Sequence, residues 1–240
     1  MKKILLLVLI MVSLGNLYAQ DEGIIFGKFY FGAKAGYGTV DFSSTNVNVD
    51  NFAERTYRNL AYGVLAGYKI NAKVSIQAEG VYAQYAANNI LYDHIYRPDN
   101  PLIASYSASS VIDHVDMDLY SADIPVTARY QLGTGTLAPY VYVGVNWGIY
   151  VTGYTTIVRK IEDPYGTIYR EFNDGVTEQI KYNEIAPIFG GGLNMNLGDK
   201  FTVFGDARIK YGVQNISNVQ NGLGFKNNAL WLSAGLIFNL

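Results

Sequence analysis

The chain has 240 residues, 50% of them hydrophobic, with a formal net charge of −2, so no basic field points toward nucleic acid. It has no cysteine, which removes disulfides, thiolate metal sites and a lipid-modified cysteine. The 21 Tyr and 25 Gly, beside only 6 Pro, suit strands, membrane-interface belts and a crowded interior.

Residues 1–19 read as a signal peptide. Lys2 and Lys3 form a basic start, Ile4 to Leu14 is an apolar run too short to span a bilayer, and Leu17-Tyr18-Ala19 offers the cleavage site. A retained N-terminal anchor helix is the alternative. Residues 20–28 form a short periplasmic segment. The remaining 29–240 form one unit without a linker, and it lacks any further apolar run of transmembrane-helix length.

Eight segments of that unit alternate with a period of two, the mark of strands with one apolar face. In the first, Phe29, Phe31, Ala33, Ala35 and Tyr37 oppose Tyr30, Gly32, Lys34, Gly36 and Gly38. In the second, Leu60, Tyr62, Val64, Ala66, Tyr68 and Ile70 oppose Gly63, Leu65, Gly67 and Lys69. Val74, Ile76, Ala78 and Tyr82 then oppose Ser75, Gln77 and Glu79, and Tyr120 to Tyr130 oppose Ser121, Asp123, Thr127 and Arg129. The second half repeats the plan: Val141 to Val151 against Tyr140 to Tyr150, Ile185 to Leu197 against Glu184 to Asn196, Phe201 to Tyr211 against Thr202 to Lys210, and Leu230 to Leu240 against Trp231 to Asn239.

The connections alternate in length. Asn71 to Lys73, Gly133 to Thr136 and Gly198 to Lys200 are tight turns; Ser43 to Asn59, Tyr85 to Asp118, Thr155 to Tyr182 and Val213 to Asn228 are long and polar. Short turns on one rim and long loops on the other predict an eight-stranded antiparallel up-and-down transmembrane β-barrel in a bacterial outer membrane. An even strand count puts both termini in the periplasm. Within the third long loop, Ile161 to Gly166 reads as a turn that could close a hairpin.

Aromatic placement separates this barrel from a soluble one. Phe29, Phe31, Tyr68, Tyr130, Phe201 and Phe238 fall near the short-turn rim of the apolar face. Tyr37, Tyr62, Tyr82, Tyr120, Trp147 and Tyr211 fall near the long-loop rim, with aliphatic residues between. Two aromatic girdles around an aliphatic band match two membrane interfaces around hydrocarbon. The opposite row must then line the lumen. Lys34, Lys69, Arg129, Arg208 and Lys210 face Glu79, Asp123, Glu184 and Asp206, a near balance that predicts mutual pairing and a plugged interior. The alternative is a narrow channel in which the same groups guide a small polar solute.

Several short stretches resemble the PorT-like outer-membrane β-barrel proteins of Bacteroidetes. They are Phe31-Gly32-Ala33-Lys34-Ala35-Gly36, Val74 to Tyr82, Asp123-Ile124-Pro125, Ala138-Pro139-Tyr140-Val141 and Ala207 to Gly212. The resemblance spans essentially the whole mature chain. It implies the barrel fold and the outer membrane, and a secretion link for the founding type alone. One departure is the final Phe238-Asn239-Leu240, where such strands often end in an aromatic residue.

Catalytic and metal chemistry find little footing. His94 and His114 share the second long loop with Asp93, Asp113, Asp116 and Asp118, but without ligand-like spacing, so no metal and no cofactor is expected. No serine lies beside either histidine as a nucleophile pair, so no enzyme is expected; a lipid-modifying activity is the weaker alternative. Gly190-Gly191-Gly192 lacks the Lys-Ser or Lys-Thr of a phosphate loop and reads as strand crowding. The expected role is structural or interactive, through the loops or an envelope partner. The expected partners are outer-membrane lipid and the barrel-insertion machinery.

Overall fold

The computed structural model describes residues 28–44, 54–88, 110–133, 135–163, 166–175, 180–218 and 225–240. The expected signal peptide, most of the segment that follows it and parts of the long loops lie outside these residues. Nine strands run through them: β1 (Lys28–Ser44), β2 (Glu54–Lys69), β3 (Val74–Asn88), β4 (Ser110–Gln131), β5 (Leu137–Asp163), β6 (Gly166–Gly175), β7 (Asn183–Leu197), β8 (Phe201–Lys210) and β9 (Phe225–Asn239).

All pairings are antiparallel. The ladder runs β4-β3-β2-β1-β9-β8-β7-β5, and β4 pairs with β5 to close it into an eight-stranded barrel. β6 stands outside the wall, paired to the far half of β5 as a hairpin from Asp163↔Gly166 to Tyr154↔Gly175. The third long loop is therefore largely strand.

Each wall strand presents its apolar row outward. Phe29, Leu60, Val64, Val145, Leu193 and Leu232 are exposed, while Lys34, Glu79, Asp123, Arg129, Glu184 and Arg208 are buried. A soluble protein reverses this order, because apolar surface left in water costs roughly 25 cal/mol per Å². Tight turns join β2 to β3, β4 to β5 and β7 to β8 on one rim. Asn71 Oδ1 accepts from the amides of Lys73 at 2.8 Å and Val74 at 2.7 Å. Gly198 takes a φ of 70°, where a side chain would be strained. Both barrel ends reach this rim, where the Leu240 amide donates to the Phe29 carbonyl at 3.0 Å.

The strands outrun their apolar alternation. β2 begins at Glu54, β3 continues to Asn88, β4 begins at Ser110 and β5 runs for 27 residues. The sequence ends these elements where the outward row turns polar. Ladder hydrogen bonds need only backbone, however, and Thr, Val and Ile dominate Thr152 to Ile161. Register shifts at Gly38/Val40, Arg55/Ala61 and Tyr120/Ser121 fall where the wall leaves the aliphatic band.

An eight-stranded barrel is just wide enough for side chains, so large inward residues need glycine opposite them. A Cβ on Gly67 would lie 2.0 Å from the Tyr30 ring, and one on Gly192 would meet the Gly205 carbonyl at 2.2 Å and the Tyr140 hydroxyl at 2.7 Å. Outward Gly80 has nothing within 4 Å. Gly192→Val is therefore expected to abolish the heat-modifiable folded band on gels after refolding, whereas Gly80→Val keeps it. Equal yields from the two variants would contradict this account of the interior.

Candidate functional site

The lumen divides into three layers along the barrel axis. The middle layer is charged. Glu79 on β3 receives both terminal nitrogens of Arg208 on β8, Nη1 at 3.0 Å from Oε2, and Lys34 Nζ on β1 lies 3.0 Å from Oε2. Gln77 Nε2 donates to Glu79 Oε1 at 2.8 Å, while Gln77 Oε1 accepts from the Tyr30 hydroxyl at 3.1 Å and from Arg129. Arg208 Nε donates to the Tyr142 hydroxyl at 3.2 Å.

A second cluster lies toward the long loops. Lys210 Nζ is 2.7 Å from Glu184 Oε2, a buried ion pair. Tyr150 donates to the same oxygen at 2.8 Å and accepts from Asn227 at 3.1 Å. Asp123 accepts from the Tyr85 hydroxyl and from Ser121 Oγ at 2.6 Å. Lys210 Nζ also sits 4.3 Å from the centre of the Tyr85 ring.

Beyond this cluster the interior turns apolar. Val40, Phe42, Met117, Leu119, Phe225 and Trp231 pack into a core that Ile180 and Ile216 cover from the loop segments. Phe42 meets Phe225 edge-on at 5.6 Å, and Tyr85 meets Trp231 at 5.7 Å. Sequence reading missed this plug. Its signal was present, since the inward row of β1 continues past Gly38 as Val40 and Phe42, and that of β4 begins with Met117 and Leu119.

The nine expected lumen charges thus part company. Lys34, Glu79 and Arg208 form one cluster, and Lys210 with Glu184 forms the other, Asp123 bonding to neutral hydroxyls beside it. Asp206 makes no ion pair with another described residue, and its Oδ1 has no hydrogen-bond partner. Lys69 and Arg129 bond neutral amides near the short-turn mouth, Asn239 at 2.8 Å and Asn194 at 3.4 Å.

Outside, the aromatics keep two levels. Phe31, Phe238 and Phe201 lie in one register row, and Phe29 meets Tyr68 at a tilt, 4.9 Å between ring centres. At the other level Tyr62, Tyr82 and Tyr120 form a chain of rings 5.6 and 6.1 Å apart. Tyr130 is exposed at the first level, and Tyr37, Trp147 and Tyr211 are exposed at the second. Tyr120 and Tyr130, ten residues apart on β4, are separated by about 34 Å of strand, or about 26 Å of height at the usual tilt.

This closed wall, apolar outside and ionic inside, agrees with a match to the outer membrane protein beta-barrel domain family over residues 4–238. The chain belongs to that family. The barrel is accordingly an integral outer-membrane one. Comparison with curated proteins finds no match. Among solved structures, Neisserial surface protein A is 16% identical with a TM-score of 0.47, covering 90% of this chain and 99% of that one. Ail, the attachment invasion locus protein of Yersinia pestis, is 10% identical with a TM-score of 0.42, covering 90% and 100%. The outer membrane protease OmpT of Escherichia coli is 8% identical with a TM-score of 0.43, covering 92% and 100%. None of these three likenesses bears on activity.

The histidine cluster of the second loop receives no such support. His94 and Asp93 lie outside the described residues, and of His114 and Asp113 only the backbone, on β4, is described. Asp118 accepts from Gln84 at 3.2 Å, and the described residues hold no group of three metal-ligating side chains.

Glu79 neutralises two cations in a space closed to water. Removing a partner from such a buried set leaves uncompensated charge and costs about 3–5 kcal/mol. Glu79→Gln should lose stability of that order in urea unfolding of the refolded barrel, and adding Arg208→Met should recover part of it. A single variant as stable as the parent would show that the cluster does not hold the barrel together.

Proposed function

We propose that this outer-membrane barrel serves as a rigid base that presents its long-loop end for contact with a partner, either another surface or an envelope component. The observation that carries this reading is the contrast between a filled lumen and a projecting far end. Glu79 and Glu184 have fully covered side chains in the charged layer, and the apolar plug sits beyond them. Past Trp147, β5 continues for sixteen residues to Asp163, about 54 Å of strand, flanked by β4 and β6. A small-solute channel is disfavoured by the same filling, and the described residues align no nucleophile with a base.

The finer assignments belong to the same reading. Residues 1–19 act as the export signal, the short-turn rim with both termini faces the periplasm, and the aromatic levels mark the two interfaces. The resemblance to PorT-like proteins of Bacteroidetes makes a secretion-linked envelope partner one form of the contact role.

Because the chain has no cysteine, orientation can be read with single substitutions. Thr167→Cys, on the β6 hairpin, should react with a membrane-impermeant maleimide on intact cells, and Asp199→Cys only after permeabilisation. The reverse pattern would invert the barrel. The contact role predicts that replacing residues 156–174 by a short turn leaves barrel insertion intact but reduces cell attachment to the level of cells lacking the protein. Unchanged attachment, or steady large openings of the refolded parent in planar bilayers, would defeat it.

A further inference from the structure

Asp123, Gly148 and Glu184 lie on one rung of the barrel wall, where β4, β5 and β7 run side by side. Both carboxylates are buried in the lumen, and the glycine between them leaves a gap. A Cβ built on Gly148 would come 2.9 Å from Asp123 Oδ1, 3.3 Å from Ser121 Oγ and 3.6 Å from Asn146 Nδ2, so polar atoms line this gap. The next inward residue of β5 is Tyr150, whose hydroxyl joins Glu184 to Asn227 of β9.

Three buried atoms of this cluster have no hydrogen-bond partner: Asn146 Nδ2, Glu184 Oε1 and Asn227 Oδ1. Asn146 is 2% exposed, and Glu184 and Asn227 are fully covered. Leaving such atoms unbonded costs about as much as a lost hydrogen bond each, so the cluster calls for an occupant. The nitrogen is a donor and the two oxygens are acceptors. A metal ion would serve the oxygens, but it would leave the Asn146 amide unbonded and stand beside the Lys210 ammonium, 2.7 Å from Glu184 Oε2. An anion would face the Asp123 and Glu184 carboxylates. Only a neutral molecule that both donates and accepts serves all three atoms, and at the size of a missing side chain that molecule is water.

We infer that the Gly148 gap is a buried hydration site, where ordered water bonds Asn146, Asp123 and Glu184 and extends as a small cluster to Asn227. This water ties β4, β5, β7 and β9 together between the Glu79 ion cluster and the apolar plug. It also gives Asp123 further donors; among the described residues that carboxylate bonds only the hydroxyls of Tyr85 and Ser121. The lumen is thus filled at this level by solvent as well as by side chains.

The test counts long-lived internal water by magnetic relaxation dispersion of the solvent, using the refolded full barrel in maltoside micelles, and locates it in crystals of the same protein. Gly148→Ala puts a methyl group into the gap, against side-chain ends that can turn aside. It should lower the count by at least one and keep the heat-modifiable band. Gly80→Ala, on the outer face with nothing within 4 Å, should leave the count unchanged. In crystals of the parent, a solvent peak is expected within hydrogen-bond distance of Asn146 Nδ2 and of Asp123 Oδ1 or Glu184 Oε1. Since Gly148→Ala could fold poorly, Asn146→Leu gives a second reading: a water-bonded amide is missed, so the urea midpoint falls together with the water count, whereas removal of an unbonded amide raises the midpoint. An empty gap in the parent, a count indifferent to both variants, or a midpoint raised by Asn146→Leu overturns the proposal. So does an anomalous peak in the gap after a thallium soak, which would make it a cation site.

Discussion

Hydrocarbon offers no hydrogen-bond partner to a peptide group, so a sheet that crosses it must have no open edge. In this chain the β4–β5 ladder meets that demand, running from Ser110↔Ile161 to Gln131↔Tyr140 and joining the two ends of the sheet. Closure at eight strands then fixes the interior. The space left inside holds side chains and little else, which is why Gly67 lies against Tyr30 and Gly190 and Gly192 lie against Tyr142 and Tyr140. The inverted polarity of the wall follows as well. Lipid replaces water as the solvent of the outward row, and the polar row is confined to one another's company.

Confinement explains why the lumen charges pair where they do. An isolated ion in so narrow a space has too little water to hydrate it, and the penalty falls only when an opposite charge and further donors surround it. Glu79 satisfies this with Arg208, Lys34 and Gln77. Glu184 satisfies it with Lys210 and Tyr150. Toward the short-turn mouth Lys69 bonds the neutral amide of Asn239, and Arg129 those of Gln77 and Asn194. The near balance of inward charge summed along the lumen therefore conceals an axial order: the ion pairs of Glu79 and Glu184 inside, Lys69 and Arg129 among amides toward one mouth, and apolar packing toward the other.

Much of this was legible in the chain because a period of two is a geometric consequence of strands and because both solvents are chemically distinct. Alternation assigned Lys34, Glu79, Asp123, Arg129 and Arg208 to the enclosed row, and their burial agrees. What one strand cannot reveal is height relative to its neighbours. Stagger in a barrel shifts each strand against the next, so Glu79 meets Arg208 from across the lumen, 129 residues away, although nothing in either segment marks the other. Arg129, two residues from the end of β4, reads by sequence as one more lumen cation; register places it at the mouth, among amides. The outer ends of β4 and β5 were concealed for a different reason. Alternation of polarity marks a strand with one apolar face, and residues 155–175 carry no sustained alternation, so the β5–β6 hairpin shows only as a turn at its tip.

The apolar plug links the two ends of the molecule. In a membrane barrel the inward row need not become greasy at the level where the wall enters water, yet here Val40, Phe42, Met117, Leu119, Phe225 and Trp231 do. Above the lipid the wall loses the solvent that favours its outward row, and a sheet in water needs a core on its inner face, as any soluble domain does. The far half of the barrel is thus organised like a soluble β-barrel set upon a membrane one, with Ile180 and Ile216 as its lid. Such a core packs against the roots of β4 and β5 through Met117, Leu119 and Tyr150, and the β5–β6 hairpin continues from there. The side chains that shut the far end of the lumen are then the ones packed against the strands from which the β5–β6 hairpin extends.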